Sequence, residues 1–156
     1  MGKYQDFYRK SIDEPDEFWV EQARLIDWHK PFDKVLDYSR PPFTRWFVGG
    51  LTNLCHNAVD RHLKDRPEQK ALVYISTETG QQQAYTYREL HAETSRFAAV
   101  LRTQGVEKGD RVIIYMPMIP EAVFAMLACA RLGAIHSVVF GGFASASLAT
   151  RIDDAQ

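Results

Sequence analysis

The stretch from Gly109 to Phe143 constrains the fold of this chain more than any other. It begins with an apolar run rich in β-branched residues, Arg111 to Met116, and closes with a second apolar run, Ala134 to Phe140. Between these runs, Glu121 to Leu132 is rich in alanine and leucine and is long enough for about three helical turns. The pattern therefore predicts a strand, a helix and a second strand.

The two predicted strands favour parallel pairing in an α/β fold. Both are almost unbroken apolar runs, and the helix that joins them carries few charges. This is the composition of a parallel sheet buried on both faces, because the crossover helix covers one of them. We expect a right-handed crossover, with Pro117 ending the first strand and Pro120 in the first helical turn. Ser145 to Gln156 predicts a further helix.

The segments just before this βαβ unit predict a hairpin followed by a helix. Lys70 to Ser76 and Gln83 to Tyr87 have the composition of strands and are joined by turn residues. Thr86 and Glu89 then form the Thr-x-x-Glu pattern of a capping box, which starts a helix. Gly105 is expected to end that helix in a left-handed conformation.

The first third of the chain predicts helices and an aromatic segment without strand-like alternation. Asp13 to Glu17 has the signals of a helix start, and Trp19 and Ile26 belong to the apolar stripe that follows. Residues 28–47 combine prolines with many aromatic side chains, so we expect an extended segment that its rings hold on a surface. Leu51 to Leu63 predicts another helix.

Composition limits the kinds of partner that the chain can bind. The 156 residues are 46% hydrophobic and 25% charged, as in one ordinary soluble domain with its own core. A net charge of −1 gives no electrostatic attraction for nucleic acid or an anionic membrane. No apolar run approaches the roughly 20 residues that span a bilayer, and the start has no signal-peptide pattern. We therefore expect a cytoplasmic protein that binds neither nucleic acid nor membrane.

The cysteines, histidines and paired acids predict no catalytic or metal-binding residues. Cys55 and Cys129 each lie in an apolar helical pattern without a basic neighbour, so both are expected to be buried free thiols. The histidines lack the spacing of metal ligands. We interpret Asp60-Arg61-His62 as a surface ion pair, His136 as a satisfied core histidine and Asp153-Asp154 as a solvated helix end.

Phe140-Gly141-Gly142 is the one local feature that suggests a ligand. The loop directly after Met116, Pro117 to Pro120, contains no glycine, and no Walker P-loop occurs, which argues against a flavodoxin-like or NAD-binding domain. The three residues lie at the carboxyl end of a predicted parallel strand, where open α/β sheets bind ligands. Two glycines beside an aromatic ring form a flat ledge with accessible amides. From this chemistry alone, both a simple turn and a ligand contact remain open.

Several segments along the chain together resemble the sequence pattern of one known enzyme family. They are Tyr4 to Arg9 with Pro15 to Trp19, Gly50 to His62, Tyr85 to Leu90, Gly109 to Val112, Tyr115 to Glu121, and Leu127 to Phe143. This set resembles the acyl-CoA synthetases of the acetyl-CoA/propionyl-CoA synthetase type, in the AMP-forming adenylate-forming superfamily. The resemblance covers essentially the whole chain, and Leu54 to Asn57 and Gly141 to Ser145 are more similar to the propionyl-CoA synthetase branch.

The resemblance implies a two-step ligase. A short-chain carboxylate, propionate or acetate, attacks the α-phosphate of ATP with Mg²⁺ to give an acyl-adenylate and pyrophosphate, and the thiol of coenzyme A then displaces AMP. It also implies that Phe140, Gly141 and Gly142 contribute to the site of the coenzyme A nucleotide. The ligand reading of this ledge is thereby favoured over a simple turn.

The resemblance further implies that this chain is the N-terminal portion of a larger enzyme. Residues 1–66 correspond to the N-terminal extension and residues 67–156 to the start of the AMP-binding domain. The family's phosphate loop, acidic ligands of Mg²⁺ and ribose, and adenylating lysine lie beyond the part that matches. We therefore expect the segment by itself to be inert, with no catalytic and no metal-binding residues, and to need the remainder of its own chain. The alternative is a stand-alone module that binds coenzyme A or a partner without catalysis.

Overall fold

The computed structural model describes residues 2–142 and 144–155. Phe143, the last residue of the constraining stretch, and Gln156, the predicted end of the last helix, lie outside these ranges. The chain has the expected mixed α/β fold and divides into two compact units, residues 1–52 and residues 53–156. Within the described ranges, no helix has the length and apolar character needed to cross a membrane.

The first unit begins with two helices, α1 (Lys3–Asp13) and α2 (Pro15–Ala23). Only α2 was predicted. Helix α1 has no buried residue, and it lies against α2 through the rings of Phe7 and Phe18, whose centroids are 4.8 Å apart edge to face. The predicted apolar stripe is shorter than expected, because α2 ends at Ala23 and Ile26 lies beyond it. Surface contact, and not a buried apolar face, therefore stabilises α1.

The aromatic segment is a β-hairpin, which the sequence did not predict. Strand β1 (Lys34–Arg40) pairs antiparallel with β2 (Phe43–Val48), and a cis Pro41–Pro42 bond lies in the turn. The expectation of no strands in this region was wrong, because Pro41 and Pro42 lie in the turn, outside both strands. The expected ring contacts are present, with Trp28, Phe32 and Phe47 packed at centroid distances of 5.2–5.4 Å.

The second unit opens with a shorter helix than predicted. Helix α3 (Leu54–Ala58) is followed by a 3-10 turn (Asp60–His62), so the continuous helix expected over 51–63 is broken at Val59. The side-chain oxygen of Asn53 caps α3 by accepting a hydrogen bond from the amide of His56 at 3.1 Å.

The predicted hairpin and capped helix are confirmed. Strand β3 (Lys70–Ile75) pairs antiparallel with β4 (Gln82–Thr86), and helix α4 (Tyr87–Thr103) follows. The amide of Thr86 donates to Glu89 Oε2 at 2.8 Å, and the Thr86 hydroxyl accepts from the Glu89 amide at 3.2 Å. The Thr86 hydroxyl also donates to Glu89 Oε2 at 2.9 Å, and the two hydrogen bonds that the carboxylate accepts from the Thr86 amide and hydroxyl lower the pKa of Glu89. Gly105 follows α4 with φ of +87°, in the left-handed region.

The βαβ unit has the predicted order and direction. Strand β5 (Arg111–Met116), helix α5 (Pro120–Leu132) and strand β6 (Ile135–Phe140) follow in sequence, and β5 pairs parallel with β6. Gly133 ends α5 with φ of +75°. Helix α6 (Ser145–Ala155) is the last described element. Cys55, Val59, Leu90 and Phe124 form a core cluster that joins α3, α4 and α5.

The expectation that both faces of this sheet are buried was wrong. Residues paired in a parallel ladder point to the same face of the sheet. Ile114 and Val138 therefore lie on one face, and Tyr115 and Val139 lie on the other. On each face one partner is buried, while Val138 is 48% and Tyr115 42% exposed. The sheet has two strands among the described residues, which is too narrow to bury both. For the same reason His136 is half-buried and not a core histidine.

Thr94 is a polar side chain in the otherwise apolar face of α4. It is fully buried at 0% exposure, between Leu90 and Ala98 on the same stripe of the helix. Its hydroxyl oxygen finds no hydrogen-bond partner among the described residues. A buried hydroxyl without a partner lowers stability by about 1–3 kcal/mol.

Replacing Thr94 by valine is expected to stabilise the protein. The change keeps the volume of the side chain and removes the unsatisfied hydroxyl, so we expect an increase of about 1 kcal/mol in the free energy of unfolding. Thermal unfolding of the full-length protein measures it. Two variants serve as controls: Thr94→Ser keeps the hydroxyl and loses a methyl group, and Thr103→Val removes an exposed hydroxyl that donates to Val100 O at 2.7 Å. A lower unfolding midpoint for Thr94→Val than for wild type would show that the Thr94 hydroxyl stabilises the protein.

Candidate functional site

The carboxyl ends of β5 and β6 lie side by side and carry the candidate site. The parallel register runs without a shift from Arg111 beside Ile135 to Met116 beside Phe140. Gly141 and Gly142 follow directly in a turn, and both are exposed. The structure therefore places the three predicted residues, Phe140, Gly141 and Gly142, together at the edge where parallel sheets present ligand-binding loops. We call these three residues the ledge.

The first glycine of the ledge lies close to the end of β5. A Cβ atom on Gly141 would lie 3.2 Å from the backbone nitrogen of Pro117 and 3.3 Å from the carbonyl carbon of Met116. These distances are to backbone atoms, which cannot turn aside. A side chain at Gly141 would therefore push the turn away from the end of β5.

Phe140 packs on the second glycine of the ledge. A Cβ atom on Gly142 would lie 2.7 Å from Cε1 of the Phe140 ring and 3.2 Å from its Cδ1. The ring is nevertheless 60% exposed. Gly142 thus supports one part of a ring that is largely exposed to solvent.

Tyr115 joins the two strand ends and was missed by the sequence analysis. Its hydroxyl donates a hydrogen bond to the carbonyl oxygen of Gly141 at 3.0 Å. The two residues are 26 positions apart in sequence, but the parallel register sets Tyr115 beside Val139, two residues before Gly141. That register was the available signal, because it brings the penultimate side chain of β5 next to the turn.

A second polar cluster surrounds the guanidinium of Arg131 at the end of α5. Its Nη1 donates to Ser95 Oγ at 2.5 Å, its Nη2 forms an ion pair with Asp60, and both Nε and Nη2 lie 3.4 Å from Cys55 Sγ. His91 Nε2 is 3.8 Å from Asp60 Oδ1. One side chain thereby links α3, the 3-10 turn, α4 and α5.

This cluster corrects one expectation about the cysteines. Cys55 does have a basic neighbour, since Arg131 contacts its sulfur, although the two residues are 76 positions apart. Burial nevertheless raises the pKa of Cys55, and the guanidinium only opposes that effect. Burial also raises the pKa of Cys129. Both cysteines are buried and free, as predicted, and neither has the low pKa of a nucleophile.

The Asp60-Arg61-His62 segment does not form an ion pair within itself. Asp60 pairs with Arg131, Arg61 donates to Asn57 Oδ1 at 2.9 Å, and His62 packs on the ring of Tyr87 with centroids 4.7 Å apart. These three neighbouring residues thus contact different parts of the structure. The described ranges also contain no group of histidine, cysteine and acidic side chains that could hold a metal ion.

A cleft at the other end of the same sheet is less suited to a ligand. It lies beside the residues that open β5 and β6, where Ile135 N donates to Asp110 O at 2.7 Å. Parallel sheets bind ligands at the carboxyl ends of their strands, so we favour the ledge. The cleft is lined by Arg102, Gly105, Val106, Glu107, Lys108, Arg131 and Leu132.

Comparison with known proteins gives matches along nearly the whole chain. Residues 4–58 match the family described as acetyl-coenzyme A synthetase N-terminus, and residues 59–156 match the AMP-binding enzymes. A propionate–CoA ligase from Escherichia coli is 59% identical over 98% of this chain and 24% of the relative. An acetyl-coenzyme A synthetase from Beijerinckia indica is 53% identical over 97% of this chain and 24% of the relative.

A solved structure has the same fold over nearly the full chain. The acetoacetyl-CoA synthetase from Streptomyces lividans superimposes with a TM-score of 0.90 and 34% identity, covering 99% of this chain and 24% of that one. The chain therefore spans about a quarter of the length of the proteins that it matches.

The Arg131 cluster is expected to stabilise the second unit. The side chains of Arg131 and Asp60 are 22% and 30% exposed, so the loss of Arg131 leaves a partly buried carboxylate without its main partner. We expect Arg131→Ala to lower the free energy of unfolding by about 2 kcal/mol. Thermal unfolding of the full-length protein is the measurement.

The matched control is an exposed ion pair in the same unit. Arg96 contacts Glu93 at 2.6 Å, but its side chain is 69% exposed, and pairs of this kind contribute less than about 1 kcal/mol. Arg96→Ala is therefore expected to change the unfolding midpoint less than Arg131→Ala does. Equal effects of the two variants would show that the Arg131 cluster adds nothing beyond a surface pair.

Proposed function

The chain belongs to the AMP-binding enzyme family, and from this membership we propose that it is part of a short-chain acyl-CoA synthetase. In the first step, a carboxylate oxygen of propionate attacks the α-phosphorus of ATP, and pyrophosphate leaves. In the second step, the sulfur of coenzyme A attacks the acyl carbon, loses its proton and displaces AMP. The observation that carries the proposal is the 59% identity with a propionate–CoA ligase over 98% of the chain.

Propionate is our first choice of substrate and acetate the second. Identity is 59% with the propionate–CoA ligase and 53% with the acetyl-coenzyme A synthetase, over nearly the same part of the chain. The propionyl-type residues at Leu54 to Asn57 and at Gly141 to Ser145 agree with this order. A difference of one methylene changes binding in an apolar pocket by only about 1–3 kcal/mol, so both acids are expected to react.

The ledge is our proposed contact for the nucleotide part of coenzyme A. Phe140 offers an exposed aromatic surface on which an adenine ring can stack. Gly142 packs against the Phe140 ring and supports it. The two glycines leave the backbone open to close approach. An aromatic surface next to accessible amides suits a nucleotide, which combines a flat base with hydrogen-bond acceptors.

ATP and Mg²⁺ are proposed to bind through residues outside this segment. The described residues offer no metal-binding group and no glycine-rich phosphate loop. Three statements remain predictions from the sequence: the segment by itself is inert, the N-terminal extension ends near residue 66, and the protein is cytoplasmic. Catalysis in this proposal requires the remainder of the protein.

The proposed activity is tested with the full-length protein. Propionate, ATP, Mg²⁺ and coenzyme A are expected to yield propionyl-CoA, AMP and pyrophosphate, with a higher kcat/KM for propionate than for acetate. Release of pyrophosphate that needs the carboxylate is the measurement, and samples without carboxylate are the control. A full-length protein that binds coenzyme A but releases no pyrophosphate would favour a binding module without catalysis.

Removing the ring of Phe140 is expected to weaken coenzyme A binding. A base stacked on an aromatic side chain gains about 1–3 kcal/mol, so Phe140→Ala is expected to raise KM for coenzyme A by about 5- to 150-fold. Phe43→Ala removes a ring that is 78% exposed in the first unit, and it serves as the matched control. Steady-state kinetics with coenzyme A as the varied substrate decide the matter. An unchanged KM for Phe140→Ala would remove the ledge from the proposed site.

A further inference from the structure

Two of the three ledge residues have no side chain that could fix the backbone of the turn. Gly141 and Gly142 have none, and both lie on the exposed carboxyl edge of the sheet. The parallel ladder ends with Met116 beside Phe140, one residue before the first glycine. The orientation of the ledge peptides therefore depends on neighbours from β5.

Two contacts from β5 act on Gly141. Its Cα lies so close to Pro117 that a Cβ would be 3.2 Å from the proline nitrogen, which limits how far the turn can move inward. Its carbonyl oxygen accepts the hydrogen bond of the Tyr115 hydroxyl at 3.0 Å. The close approach to Pro117 only prevents the turn from moving inward. The hydrogen bond is directional, so it favours one orientation of the peptide plane between Gly141 and Gly142.

We propose that Tyr115 is a positioning residue for coenzyme A, acting through the peptide between Gly141 and Gly142. This inference rests on the proposed function of the ledge. The peptide unit is planar and trans, so its C=O and N–H bonds point in opposite directions. When Tyr115 holds the Gly141 carbonyl, it also fixes the Gly142 N–H to point away from the Tyr115 hydroxyl. That amide is then a preoriented donor beside the Phe140 ring.

A preoriented donor matters most where the backbone is glycine. A glycine peptide in a free turn samples many orientations, and binding a ligand in one of them costs conformational entropy. A hydrogen bond from a residue on the adjacent strand removes part of this cost before the ligand arrives. The ligand groups that this amide can bind are hydrogen-bond acceptors close to an aromatic base. In coenzyme A these are the ring nitrogens of adenine and the oxygens of the attached ribose phosphate.

The test is Tyr115→Phe in the full-length protein, with coenzyme A as the varied substrate. The variant keeps the ring and removes only the hydroxyl. Loss of one neutral hydrogen bond is expected to raise KM for coenzyme A about 3- to 10-fold, with less than about a twofold change in KM for ATP. Tyr38→Phe removes an exposed hydroxyl in the first unit and is expected to leave every constant unchanged. A Tyr115→Phe enzyme with wild-type KM for coenzyme A would overturn the proposal.

A double variant separates positioning from a general loss of structure. Gly141→Ala displaces the same turn by adding a Cβ against the end of β5. If Tyr115 acts through this turn, the effects of Tyr115→Phe and Gly141→Ala on KM for coenzyme A are less than multiplicative in the double variant. Fully multiplicative effects, or equal changes in KM for ATP, would mean that Tyr115 does not act through the ledge.

The same measurements distinguish a failure of the proposed function from a failure of the role proposed for Tyr115. A wild-type protein that makes no propionyl-CoA or acetyl-CoA contradicts the proposed function. An active wild type whose KM for coenzyme A rises in Phe140→Ala but not in Tyr115→Phe contradicts only the role of Tyr115.

Discussion

The parallel register of β5 and β6 is the constraint on which the candidate site depends. It sets Met116 beside Phe140, so both strands end at the same edge and the turn after β6 meets the residues after β5. A shift of one residue would turn Tyr115 to the other face and separate its hydroxyl from Gly141. The ledge, its support by Gly142 and its hydrogen bond from Tyr115 all follow from this one alignment.

Arg131 has the corresponding role for the helices of the second unit. The buried residues of α4 and α5 include small side chains such as Ala98, Ala125 and Ala128, which allow close packing but give little direction. The guanidinium of Arg131 adds directed bonds to Ser95, Asp60 and Cys55 at the end of α5. Because α5 is the crossover between β5 and β6, the position of this helix also bears on the register of the two strands.

The sequence predicted what depends on short-range pattern and missed what depends on contacts between distant residues. The βαβ unit, the hairpin at 70–86 and the Thr86 cap were predictable because apolar periodicity and capping residues act within a few positions. Helix α1 was not predicted because it buries no residue. The hairpin at 34–48 was not predicted because Pro41 and Pro42, which suggested an extended segment, lie in its turn. Phe140, Gly141 and Gly142 were found by their place after a strand and by family resemblance, whereas Tyr115 and Arg131 act on residues 26 and 71 positions away.

The glycines of this unit show how backbone conformation and space make different demands. Gly105 and Gly133 have φ values of +87° and +75°, so they are required by the left-handed conformation in which helices end. Gly141 and Gly142 do not lie in that region, and their backbone would accept other residues. What excludes a side chain there is the end of β5 in one case and the Phe140 ring in the other. At these two positions the preference for glycine therefore comes from neighbouring atoms of the chain and not from the backbone conformation.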